Sequence, residues 1–318
     1  MKLERITLLE KIGFSQAEIV NIEEFVAKLE EQQCWGEILC LAKEVMSVHP
    51  CGNLLRENLE KVESWEAKTG LHKYSLDLLL IIECALLLKK DYEQKLLEDE
   101  RISMKIFYDS MKDITYKMHE CQNVYDVQGI FVGFWYDGFF DMTRFALGRL
   151  QFEMMPLWLS EPVVVNGCKL ENGMRAVNMH IPSCGPLMPK EADESLAFAA
   201  SFFKENFRDH LVERPVVFVM ASWLLDEDLM ELLPEGNIKN FVTKFQVLNT
   251  NKSNYFDDGW RVFGRKWCFD EEKWRDEVGN LPRNTRLQRA IVDYLQRGGS
   301  IGYGYGVRIA EEITSVRV

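Results

Sequence analysis

The stretch Met174–Phe207, MRAVNMHIPSCGPLMPKEADESLAFAASFFKENF, joins two hydrophobic periods across a short break. Over Met174–Ile181, Val177, Met179 and Ile181 fall on one side and Ala176, Asn178 and His180 on the other. That period of two predicts a strand. From Pro189 to Phe207, apolar residues recur at Leu196, Ala199, Ala200 and Phe203, one face of a helix. Pro189 suits the first helical position, and Glu191, Asp193 and Glu194 crowd the first turn. The residues between, Pro182–Met188, form a tight loop. A strand turning sharply into a helix aims backbone N–H groups and a dipole end worth roughly half a charge at whatever sits in the turn. Phosphate is the ligand this chemistry favours. Many such units bind nothing, however, and the first-turn acids already answer part of the dipole.

Upstream, Leu147–Met155 (LGRLQFEMM) also alternates, with Arg149, Gln151 and Glu153 opposed to Leu150, Phe152 and Met154. Glu153, set between apolar neighbours, is a candidate general base with a raised pKa; an ion pair with Arg149 is the other reading of the same residues. Asn166–Gly167 and Asn172–Gly173 are reverse-turn signals. With Val163–Val165 they predict an antiparallel meander leading into the central strand. Downstream, Pro215–Trp223 (PVVFVMASW) is a continuous apolar run suited to a buried strand. Leu224–Leu233 reads as a short helix stopped by Pro234 and Gly236, and Ile238–Thr250 as a helix that becomes a strand. Thr285–Gln296 is a capped helix. Ser300–Val307 (SIGYGYGV) closes the series, with Gly302, Gly304 and Gly306 alternating with Tyr303 and Tyr305. Alternate glycines bare one side of a strand to backbone or ligand. The spacing lacks the dinucleotide-binding pattern G-x-G-x-x-G.

The first third is helical. Ser15 and Glu18 form a capping box before the stripe Ile19, Ile22, Phe25, Val26 and Leu29. Further helices are expected over Trp35–Met46, Asn53–Lys68, an apolar segment capped by Ser75, and Ile102–Met118. Composition shifts near Gln122–Gly129, which places a helical domain at 1–126 and a second domain at 127–318. Ile130–Phe145 is dense in aromatics and puts Asp137 and Asp141 four apart. It reads as a lid or wall for a substrate, or as an aromatic wedge joining two domains.

With 318 residues, 47% of them apolar and 28% charged, the chain is long enough for two domains with proper cores. The net charge of −12 argues against nucleic acid and against an anionic membrane as partners. No run approaches the roughly 18 apolar residues needed to span a bilayer. Eight scattered cysteines without a C-x-x-C pair, and an N-terminus without an apolar signal core, predict a reduced, cytoplasmic protein with no zinc site.

The order of elements resembles the GNAT-type acyltransferase fold. The phrases GRLQFE (Gly148–Glu153), HIPSCGPL (His180–Leu187) and TRLQRA, followed by the glycine-alternating strand, resemble a bacterial family that joins a helical acyltransferase-type domain to a GNAT-like C-terminal domain. The resemblance covers essentially the whole chain. The fold class it implies is α+β: a helical bundle, then a mixed, mostly antiparallel sheet flanked by helices. The activity it implies is transfer of an acyl group from acetyl-CoA or another acyl-CoA to an amine on a small-molecule or peptide acceptor. By the same resemblance, the strand around Val177, Met179 and Ile181 pairs its backbone with the pantetheine arm. Ser183, Cys184, Gly185, Leu187 and Lys190 face the pyrophosphate. Glu153 or His180 is the base, and the place of the family's tyrosine acid, with no tyrosine over Leu224–Leu233, is vacant or filled by Tyr303 or Tyr305. The usual Q/R-x-x-G-x-G/A pattern is absent, and Pro186 removes one amide donor. Those departures leave a second expectation standing beside the enzyme, a GNAT-shaped module that binds a ligand or a protein without turnover.

Overall fold

The computed structural model describes residues 2–98, 102–207 and 215–310. The chain divides into two compact units, 1–147 with 182–184, and 148–181 with 185–318. The sequence places the boundary at 126/127. The compact units divide at 147/148 because the aromatic segment after residue 129 is built into the first of them.

The first unit is helical: α1 (Lys2–Ile12), α2 (Gln16–Glu31), α3 (Trp35–Met46), α4 (Gly52–Glu63), α5 (Glu66–Thr69), α6 (Lys73–Glu98), α7 (Met104–Tyr125) and α8 (Asp137–Phe140), followed by strand β1 (Arg144–Leu147). The capping box at Ser15 forms as expected: its hydroxyl accepts from Glu18 N, and the Glu18 carboxylate accepts from Ser15 N. Two expectations need correction. The Asn53–Lys68 helix breaks after Glu63, where the Ser64 hydroxyl donates to the Lys61 carbonyl at 2.6 Å and competes with the ladder. Ser75 is not a cap: α6 starts at Lys73, and the Ser75 hydroxyl donates to the Gln128 carbonyl at 2.8 Å.

The aromatic segment is part of the first unit and is largely buried there, with Phe134 exposed. Tyr136, Phe139, Phe140 and Phe145 are buried. Asp141 accepts from Cys51 N at 3.0 Å and meets His49 Nδ1 at 2.9 Å, and Asp137 lies 3.7 Å from the Arg144 guanidinium. Both acids therefore have partners within the helical unit.

In the second unit β2 (Leu150–Pro156), β5 (Arg175–His180), β6 (Val217–Ser222), β8 (Tyr303–Ile309) and β7 (Gln246–Asn251) stand side by side in that order. Only β5 and β6 run parallel; the other pairs are antiparallel. β3 (Val163–Val165) and β4 (Cys168–Leu170) turn at Asn166 (φ 48°) and Gly167 (φ 79°), the left-handed pair of a two-residue hairpin. The expected meander is corrected here. This hairpin is a separate two-stranded sheet, and it packs Val165 and Leu170 over Ala176, Val217, Val219, Val307 and Ile309.

Helix α9 (Pro189–Asn206) follows β5 and buries Leu196, Ala199, Ala200 and Phe203, the face read from the sequence. Short helices α10 (Glu227–Leu232), α11 (Asn237–Val242), α12 (Gly259–Phe263) and α13 (Trp274–Glu277) precede α14 (Arg286–Gln296). Thr285 caps α14, and the Gln288 side chain returns to Thr285 N.

Candidate active site

The parallel contact between β5 and β6 is short. Val177 pairs with Phe218 and Asn178 with Val219, yet β5 runs on to His180 and β6 to Ser222. Past Asn178 the two strands part. Backbone polar groups on parting strands need other partners, so the gap is a natural place for an extended ligand to bond to β5. The proposed cofactor residues divide at this point. Val177 lies inside the ladder, opposite Met154 on one side and Phe218 on the other, which corrects the expectation that it pairs with the pantetheine arm. Met179 and Ile181 lie beyond the last β5–β6 pair.

One face of the sheet changes character along its length. Cross-strand partners share a face, so Gln151, Glu153 and Met155 on β2 lie beside His180, Asn178 and Ala176 on β5. The Ala176 end is sealed by the hairpin. At the other end stand the partly buried Glu153, Asn178 and His180 with the exposed Ala221. His180 Nε2 is 3.1 Å from Asn178 Nδ2 and 3.7 Å from Glu153 Oε2. The His180 and Glu153 side chains are 23% and 20% exposed, so the pair is reachable from outside.

These two contacts belong to different protonation states. A neutral imidazole with a bare Nε2 accepts from the Asn178 amide; once protonated, the same nitrogen donates toward the Glu153 carboxylate. The arrangement can therefore take up one proton and hold it. Sequence reading found Glu153 and His180 as separate candidates. It missed Asn178 as the third member, although the period of two already placed Asn178 and His180 on one side.

Tyr303 lies on the same face, but on β8, two strands from β5 and roughly 10 Å away by strand spacing. Its hydroxyl donates to Asp258 Oδ2. Burial first, then the Asp258 carboxylate, raise its pKa, so it is a protonated phenol at neutral pH. The structure brings Glu153 and His180 together and holds Tyr303 apart from them. Tyr305 belongs to the β8 row opposite Ala221.

The loop from Ile181 to Met188 exposes Ser183, Cys184, Gly185 and Pro186 and buries Pro182 and Leu187. The Ser183 hydroxyl donates to Glu120 Oε1 at 2.5 Å, and Cys184 is an exposed thiol. Gly185 has φ 114°, a conformation for which glycine is suited. Met188 is the N-cap of α9 and makes no side-chain cap bond, so the first amides of that helix are not closed off by their own cap. Lys190 extends into solvent, 3.7 Å from Glu194. Beside the loop lies a cleft of about 290 Å³, lined by Leu187, Leu233, Pro234, Gly236 and Ile238 among others. It is largely apolar with a helix start at its edge, a combination that suits a nucleotide ring joined to phosphate. Among the described residues, no three His, Cys, Asp or Glu side chains gather to hold a metal ion, and no helix is long and apolar enough to cross a membrane.

Two family models match this chain: an N-acyltransferase N-terminal domain over residues 4–142 and a GNAT-like C-terminal domain over residues 145–308. No curated protein matches. Among solved structures, an acyltransferase mutant in complex with octanoyl-CoA is 18% identical with a TM-score of 0.60, the alignment covering 97% of this chain and 100% of that one. An acyltransferase in complex with decanoyl-CoA and teicoplanin, and one in complex with CoA and 10C-teicoplanin, each give 18% identity and a TM-score of 0.59, covering 96% of this chain and 99% of theirs. At that identity the likeness is one of fold, and it spans both units.

Proposed function

This chain belongs to the acyltransferase family with a GNAT-like C-terminal domain, and from that premise we propose that it moves an acyl group from acyl-CoA to the amine of a small-molecule or peptide acceptor. The observation that carries the proposal is the parting of β5 and β6 after Asn178 and Val219, with Glu153 and His180 on its rim. The thioester lies in that gap, and the pantetheine arm bonds to the backbone of Met179 and Ile181. The pyrophosphate meets the amides of Gly185 and Leu187 and the start of α9, with the exposed Lys190 as a counter-charge. The nucleotide ring rests in the cleft by Leu187.

The acceptor amine, unprotonated, attacks the thioester carbonyl carbon. As the C–N bond forms, the nitrogen becomes cationic and loses a proton to His180 Nε2; the C–S bond then breaks, and the thiolate leaves and takes that proton from the imidazolium or from water. Glu153 stabilises the resulting imidazolium, and Asn178 presents the neutral ring in the accepting tautomer beforehand. Backbone amides at the end of β5 face the developing oxyanion. Tyr303, turned to Asp258, takes no part in this proton path. Fold-mates held with octanoyl-CoA or decanoyl-CoA support a donor longer than acetyl, and those held with teicoplanin support an acceptor of small-molecule or peptide size.

Thiol release from acetyl-, octanoyl- and decanoyl-CoA across a panel of amines tests the reading. Amine-dependent release that disappears in His180→Ala supports it. Release that is absent with every donor and acceptor removes it, and amine-dependent release that persists in His180→Ala moves the base to another residue.

A further inference from the structure

We propose that Arg149 is a positioning residue that holds the β5–α9 loop in the form that receives the nucleotide end of acyl-CoA; the inference rests on the acyl-CoA reading above. The sequence suggests Glu153 as the partner of Arg149, two residues along on the same side. In the structure the guanidinium also reaches the loop: Nη2 donates to the Gly185 carbonyl at 2.6 Å and Nε to the Pro186 carbonyl at 3.2 Å. One rigid fork thus orients two consecutive peptide groups.

Arg149 is itself anchored from both sides. Gly148 (φ 80°) lies so close to α9 that a Cβ there would come within 3.3 Å of the Ser195 side chain. Leu150 N donates to Ser195 Oγ at 3.0 Å, and Ser195 is buried. The segment Gly148–Leu150 therefore braces helix and loop at once. This gives the phrase GRL a physical reason that the proton chemistry does not supply.

The orientation matters for an anion. Gly185 and Pro186 are exposed, so water would satisfy their carbonyls if Arg149 were absent, and the fold does not require the fork. A glycine at φ 114° rotates its peptide easily. A carbonyl swung toward a phosphate repels it, whereas one tied to a guanidinium is turned away, with a positive charge left beside the loop.

The test uses the full chain with octanoyl-CoA and with octanoyl-pantetheine, which carries the same thioester but lacks the nucleotide, in binding titrations. Arg149→Ala should weaken octanoyl-CoA by about 10- to 100-fold and leave octanoyl-pantetheine and the melting midpoint unchanged. Arg149→Lys, which can reach one carbonyl at a time, should fall between. Equal losses for the two ligands would make Arg149 merely structural, and an undiminished affinity for octanoyl-CoA in Arg149→Ala would sink the inference alone. A wild-type chain that binds neither ligand sinks the functional reading, and this inference with it.

Discussion

The glycine-alternating strand and the β5–α9 loop both promise a place where something comes close, and the molecule uses them in opposite ways. On β8, what comes close is the chain itself. A Cβ on Gly302 would sit 1.7 Å from the Asn251 carbonyl oxygen, and one on Gly304 2.1 Å from that of Leu225. The fully buried Asp226 fastens the same region by accepting from Gly302 N and from Lys252 Nζ. At Gly185, by contrast, nothing lies within 4 Å of where a Cβ would be. Three glycines mark a closed seam, and one glycine marks the open turn. Glycine spacing reports close approach without saying who approaches; the surrounding backbone decides that.

The contrast can be broken most sharply at Gly304. Gly304→Ala drives a methyl into backbone that cannot move aside, and we expect a loss above about 4 kcal/mol, read as collapse of soluble yield or of the melting transition. A variant that melts like wild type would mean the seam is loose. His180→Ala should leave the melt alone and lower the amine-dependent rate by about a hundred- to ten-thousand-fold; a rate within a fewfold of wild type would move the base elsewhere.

A third site sharpens the comparison of open and closed, because the helical unit also holds an acid. Asp77 is buried on α6, its Oδ1 has no hydrogen-bond partner among the described residues, and desolvation, with Glu63 nearby, pushes its pKa up to about 9 from 3.8. Above pH 3.8 the unfolded chain releases this proton while the folded chain keeps it. The residue therefore costs stability increasingly from about pH 4 up to about pH 9. Asp77→Asn should be more stable by about 2–4 kcal/mol at pH 7, with a gap that widens between pH 5 and pH 8 in denaturant titrations. A gap that stays constant with pH would show that Asp77 is ionised in the folded protein. The smallest effect belongs to Gly185→Ala, which has room but a strained φ. It should cost about 1–2 kcal/mol and weaken acyl-CoA binding far more than it lowers the melt.

Much of the architecture is legible from local signals, because caps and periodicity act over a few residues. The Ser15 box, the cap at Thr285, the α9 face and the turn at Asn166–Gly167 all form as read. The α+β class, with a helical part before a mixed sheet, is what the family resemblance implies. What local signals miss is set by partners distant in sequence. Ser75 resembles a cap until Gln128 claims its hydroxyl, and nothing near Arg149 in the sequence shows that it reaches the Gly185 and Pro186 carbonyls. Val177 belongs to the right strand, but only the end of pairing at Val219 tells which of its residues face an opening. The Glu153–Asn178–His180 group needs a cross-strand register, which no single segment contains.

The central claim is that acyl-CoA occupies the gap where β5 and β6 part. Ala221 is exposed on β6 beyond the last pair, so Ala221→Trp would crowd that gap with a large side chain. In calorimetric titration with octanoyl-CoA, the wild-type chain should release binding heat, and Ala221→Trp, equally folded by its melting curve, should release none. Equal heats from the two proteins would place the cofactor elsewhere and contradict the account.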